Sequence, residues 1–185
     1  MTVVNPEITI DRISIQVALS GYSFKVLARD GRNYASEWFT ADKVFVTKEF
    51  QQRYDAVEIA LFTPKVALLP EAFFSPADSR KLLSDVVLLS EGDSVESVAV
   101  PEFGAVMVYS NTIGESLSKA LASSVLRTDG YKSAVLPELY YILKSMSDIP
   151  DYNKIVASYA DGRLYLAVAQ GKTLLLCNSF QAQDF

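Results

Sequence analysis

The chain contains no histidine among its 185 residues. That removes the usual general base near neutral pH, the commonest zinc ligand and every histidine-based triad or dyad. It has a single cysteine, Cys177, inside the apolar run that starts at Leu174, so a disulfide framework is excluded. A small buried residue is the simpler reading of that thiol than a nucleophile. Basic residues are also scarce: 17 Lys and Arg stand against 22 Asp and Glu, dispersed rather than gathered into a stripe that could neutralise successive phosphates. Nucleic acid is therefore not expected as a partner. No apolar run approaches the roughly 18 residues of a membrane helix, because Pro64, Pro70, Pro76 and scattered charges interrupt the richest region. Met1 to Pro6 carries neither a positive segment nor a long apolar one, and the expectation is a cytoplasmic protein without membrane attachment.

Half of the residues are hydrophobic, enough for one good core or two small lobes. Ile13, Ile15, Val17 and Leu19 alternate with polar or small residues, the period of a half-buried strand. Ser20-Gly21 is expected to supply a tight turn. Tyr22 to Ala28 then reads as a second strand, Asp30-Gly31 as a hairpin signal, and Tyr34 to Thr40 as the third strand of an antiparallel meander. Thr47 to Asp55 is expected to be a short helix presenting Phe50 and Tyr54. Ala56 to Phe62 and Lys65 to Leu69 read as strands, and Ser75-Pro76-Ala77-Asp78 as the capped start of a helix. Val95 to Val100 and Ala105 to Tyr109 are two more strands. Asn111 is placed to cap a helix reaching about Leu126, with Ile113, Leu117, Leu121 and Val125 on one face. A further helix is expected from Leu136 to Met146, and Asp148-Ile149-Pro150-Asp151 reads as a boundary.

Beyond that boundary the opening pattern recurs. Aligning Ser20-Gly21 with Asp161-Gly162 superposes Ile15 to Leu19 on Val156 to Ala160, and Tyr22 to Ala28 on Arg163 to Ala169. Gly31 follows Gly21 by ten residues, Gly171 follows Gly162 by nine, and an apolar strand succeeds each. Gly171-Lys172-Thr173 looks like the tail of a P-loop, but Leu166 stands where that pattern needs glycine and strand residues follow in place of a helix.

With this meander, the stretch from Lys65 to Phe74 and the run Leu174 to Phe180, the chain resembles the actin-like ATPase superfamily of ribonuclease H-like folds. Within it, the chain resembles a little-characterised bacterial family of unknown function. The resemblance implies an α/β fold whose mixed sheet opens with an antiparallel three-strand meander flanked by helices, the meander being repeated at the C-terminus. Residues 1–150 would then be the first lobe and residues 151–185 the start of a second, incomplete or reduced one. An exposed meander face in such a lobe would favour aggregation or pairing with another chain.

Actin-like ATPases hold phosphates between two hairpin turns, with an acid on the first strand of each lobe ordering water around magnesium. The resemblance thus nominates Ser20, Gly21, Asp161 and Gly162 as the positions that would line a nucleotide site. Here Ala18 or Leu19 stands near the expected first acid, and Asp-Gly is also a common hairpin turn. Two-metal nuclease chemistry would need a carboxylate on the first strand, and Asp11 and Asp30 fall outside it. The leading expectation is a non-catalytic scaffold or adaptor without cofactor or metal, binding a protein partner or itself. The alternative is a nucleotide-binding or ATP-hydrolysing protein using ATP and magnesium. Phe73-Phe74 could serve as an exposed anchor for a partner. The other aromatics of the first third, from Tyr22 to Tyr54, read as core.

Overall fold

The computed structural model describes residues 10–123 and 126–182. The leader at Met1 to Pro6 and Val125 lie outside them. The chain forms two compact units, residues 1–60 with 113–135, and residues 61–112 with 136–185. The sequence-based boundary at 150/151 falls inside the second unit. Among the described residues no helix is long and apolar enough to cross a membrane.

The first unit is built on β1 (Arg12–Ala18) and β2 (Gly21–Leu27), an antiparallel pair in register from Arg12↔Leu27 to Ala18↔Gly21. Alternation dictates which face is buried: Ile13, Ile15 and Val17 on β1 and Tyr22, Phe24 and Val26 on β2 are at most 5% exposed. The third strand is broken into β3 (Asn33–Ala35) and β4 (Phe39–Thr40), both paired with β2. The break follows from Ser36, whose hydroxyl takes the N–H of Phe24 at 2.9 Å and so replaces a ladder bond. β5 (Ala56–Leu61) lies on the other side of β1, and β9 (Val135–Pro137), where the chain passes between units, is the far edge of the sheet.

The helix expected over Thr47 to Asp55 is replaced by a 3₁₀ turn at Lys48–Gln51, which follows another at Ala41–Val46. Thr47 is extended, and Tyr54 leaves the helical path to pair with the chain at Arg127, its carbonyl accepting from Thr128 N at 2.8 Å. A tertiary pairing thus outcompetes weak local propensity. Phe50 and Tyr54 are nevertheless core, each 3% exposed. Helix α2 (Glu115–Ser123) buries Leu117 and Ala120. Asn111 does not cap it; its amide donates to Glu96 Oε1 at 2.9 Å.

The second unit contains two antiparallel three-stranded sheets. β6 (Val66–Pro70), β7 (Val95–Val100) and β8 (Ala105–Ser110) are arranged with β8 central and fully buried. Helix α1 (Ser79–Ser84) packs on this sheet, placing Leu83 among Val106, Val108, Leu69 and Phe74. β10 (Asn153–Ala160), β11 (Arg163–Gln170) and β12 (Thr173–Gln181) form the other sheet. One face of it is covered by α3 (Glu138–Ser147), whose Leu139, Leu143 and Met146 are buried; the same face carries Tyr165 and the small Ala167 and Ala169.

Candidate functional site

At the first turn, β1 ends at Ala18 and β2 begins at Gly21, so the turn residues are Leu19 and Ser20, and Gly21 is already in the ladder. The reason for glycine there is close approach. A Cβ at Gly21 would lie 1.9 Å from the carbonyl oxygen of Phe39 and 3.0 Å from the Trp38 indole nitrogen. The strand that pairs with Gly21 through Thr40 therefore fills the side on which a side chain would stand. Near the expected acid position, Ala18 is buried and Leu19 is 71% exposed. Of the two nearest acids, Asp11 is clamped by Arg29, accepting from its backbone N–H at 2.9 Å and its guanidinium at 3.2 Å. These hydrogen bonds hold the carboxyl below its ordinary range. Asp30 likewise pairs with Arg32 at 2.7 Å.

At the second turn, Asp161 and Gly162 have φ of 53° and 71° between paired Ala160 and Arg163. Positive φ at both positions is the requirement of a two-residue type I′ hairpin, which Asp-Gly satisfies at little steric cost. Gly162 O also accepts from Ala182 N at 3.0 Å. Ser20 and Gly21 thus share one hairpin of the first unit, and Asp161 and Gly162 share one hairpin of the second. The P-loop-like Gly171-Lys172 is a two-residue turn followed by strand β12.

An aromatic groove of about 600 Å³ in the first unit went unread in the sequence. Phe24, Tyr34, Phe39 and Val46 line it, with Glu37, Lys43, Lys48 and Glu49 also present. Phe24 stacks on Phe39 and meets Tyr34 edge-on, both at 6.3 Å. The Tyr34 hydroxyl donates to Glu49 Oε1 at 2.7 Å; burial and that carboxylate push the phenol up to about 12. Trp38, Phe45 and Val46 are 39%, 56% and 73% exposed. The aromatics of the first third therefore divide: Tyr22, Phe24, Phe50 and Tyr54 are core, while Tyr34, Trp38 and Phe45 reach the surface. The sequence signal is Ser36-Glu37, a polar pair among aromatics at the point where the third strand breaks into β3 and β4. Phe73 is 77% exposed, whereas Phe74 packs into the α1 cluster, so only one of that pair is presented.

The most strongly perturbed carboxylate lies elsewhere. Asp93, 6% exposed, accepts from Lys65 Nζ at 2.6 Å, Ser90 N at 2.6 Å and Ser110 Oγ at 2.8 Å. The Lys65 hydrogen bond holds it far below its ordinary range. Arg80 donates to the carbonyls of Asp93 and Ser90 at 2.6 and 3.0 Å, so the cluster pins the loop between α1 and β7. Every oxygen of this acid is committed within the fold, which makes it a structural clamp. Cys177 is half-buried, and burial pushes its thiol up to about 12, away from thiolate reactivity. Among the described residues no group of three or more Cys, Asp or Glu could hold a metal ion.

Comparison with curated proteins finds no match. Among solved structures, the chain is similar to a Bacteroides thetaiotaomicron protein with an actin-like ATPase fold and unknown function. The TM-score is 0.68 at 17% identity, over 94% of this chain and 71% of the other. The fold is thus actin-like. The family described as "Protein of unknown function (DUF3822)" matches residues 8–185, and the chain belongs to that family.

Proposed function

We propose that the protein is a non-catalytic scaffold or adaptor of actin-like fold whose work is binding another protein or itself. The observation that carries this reading is the contact at Gly21. The phosphate-facing use of a glycine turn needs an open backbone, and here the Phe39 carbonyl occupies the side where a Cβ would stand. The neighbouring strand offers no carboxylate to order water around magnesium, and Asp11 is tied to Arg29. Apolar side chains at the surface, Phe45, Phe73 and Ile155 among them, support protein contacts. In the same reading β1 to β3 and β10 to β12 are equivalent meanders of two lobes, residues 1–150 and the beginning of another from 151. The same reading takes the excess of acidic over basic residues as disfavouring a nucleic-acid partner.

The competing reading, nucleotide binding with ATP and magnesium at Ser20, Gly21, Asp161 and Gly162, has one supporting observation, the exposed Asp161-Gly162 turn. Thermal denaturation with and without millimolar magnesium-ATP separates the two. A ligand at 100 times its Kd adds about 2.7 kcal/mol to stability. The adaptor reading expects an unchanged midpoint; a magnesium-dependent rise of several degrees overturns it.

A further inference from the structure

The sheet of β10, β11 and β12 has one face under α3, and its other face is open. Strand register identifies that open face. Ile155 pairs with Val168, Tyr159 with Leu164, and across β11 Val168 pairs with Leu176 and Leu164 with Phe180. Partners opposite one another share a face, so these side chains, with Ala157, Leu166 and Asn178, form one surface. None of them is charged. Ile155 is 71% exposed, Tyr159 46%, Leu176 36% and Phe180 39%, and the bulged Leu175 adds 55% at the rim. The solvent-facing side of an ordinary antiparallel sheet alternates to polar residues, and this one does not.

We infer that the outer face of the C-terminal meander binds the same face of a second copy of this chain, the two sheets packing with their strands antiparallel about a two-fold axis. The exposed parts of these side chains amount to roughly 600–800 Å², close to the roughly 800 Å² per partner of a stable interface. A face without charges can be buried against itself leaving no ion unpaired. The sheet ends supply orientation. Asp161 sits in the turn at one end and Lys172 in the turn at the other, both exposed and neither ion-paired among the described residues. Antiparallel stacking sets each Asp161 over the partner's Lys172 end; parallel stacking would set like charges together. This rests on the protein-binding reading and narrows it to self-association.

The test is sedimentation of the full chain by analytical ultracentrifugation from about 1 to about 200 μM. A concentration-dependent dimer is expected. Ile155→Glu, at a position already exposed, should weaken it at least about 100-fold with an unchanged circular-dichroism spectrum. Lys172→Glu should weaken it about 5-fold, since it would oppose Asp161. A monomer throughout the range, or a dimer indifferent to Ile155→Glu, overturns the inference. A dimer abolished by Ile155→Glu but untouched by Lys172→Glu overturns the antiparallel arrangement. None of these results bears on magnesium-ATP binding, so the self-association and the adaptor reading fail separately.

Discussion

Asp93→Ala is expected to be among the most destabilising single changes in the second unit. The substitution removes a carboxylate whose side chain is 3% exposed and leaves Lys65, 30% exposed, facing the gap at what was a 2.6 Å ion pair. It also orphans the N–H of Ser90 and leaves the hydroxyl of Ser110 with Thr112 Oγ1 alone, at 3.0 Å. Breaking a buried pair typically costs 3–5 kcal/mol, and the partial solvation of Lys65 lowers this to about 2–3 kcal/mol. For a chain of this size that corresponds to a melting point roughly 4–12 °C lower. Urea unfolding of the wild type, Asp93→Ala, Lys65→Met and the double variant measures the coupling directly. The pH dependence has a definite sign. The folded-state pKa lies below the ordinary 3.8, so the stabilisation is present above about pH 4 and is lost as pH falls through the folded value. Asp93→Asn should therefore show a shallower loss of stability below pH 4 than the wild type. A coupling under about 0.5 kcal/mol, or identical acid profiles, would refute the assignment of this cluster as a clamp.

The two turn glycines should respond differently to alanine. Gly21→Ala meets backbone at 1.9 Å and should cost about 2–3 kcal/mol by urea unfolding, whereas Gly162→Ala, with φ of 71° and nothing nearer than 3.9 Å, should cost about 1–2 kcal/mol. Equal costs would remove the close-approach explanation for Gly21. Cys177 should react with iodoacetamide at pH 8 at least about 10-fold more slowly in the native protein than in urea, because burial raises its thiol from an ordinary 9.0 to about 12. A native rate matching the unfolded one would contradict that burial.

Legibility followed the range of the interactions involved. β7 has the expected limits, Val95 to Val100, and β8 extends the expected Ala105 to Tyr109 by one residue, because the Pro101 to Gly104 turn between them is a local signal that marks both ends. The 3₁₀ turns in place of a helix at Thr47 to Asp55 depend on Tyr54 meeting Arg127, a partner 73 positions away that no local window contains. Asn111 has the chemistry of a cap, but the helix begins four residues later at Glu115, and the Asn111 amide is held by Glu96. Asp93 reads as one more polar residue of Ser90 to Ser94; its meaning comes from Lys65 and Ser110, which only the sheet order brings to it. The aromatic groove was hidden for the opposite reason. A continuous third strand over Tyr34 to Thr40 is the local expectation, and the Ser36 side chain interrupts it where Tyr34 and Phe39 line the groove.

The two glycine turns show why a repeated pattern is weak evidence for a repeated chemistry. In sequence, Ser20-Gly21 and Asp161-Gly162 occupy corresponding places between corresponding strands. In the structure, Gly162 is glycine because a two-residue hairpin requires positive φ, with Asp161 adopting φ of 53° beside it. Gly21 lies inside the ladder, and the constraint on it is the Phe39 carbonyl. A phosphate-binding turn demands glycine for a third reason, open backbone presented to a ligand, and neither position needs that reason to explain its residue. Gly21, Asp161 and Gly162 thus each have a reason in the local backbone. If magnesium-ATP binds, groups other than Gly21 would have to hold its phosphates, and a thermal shift on its addition would reveal that such groups exist.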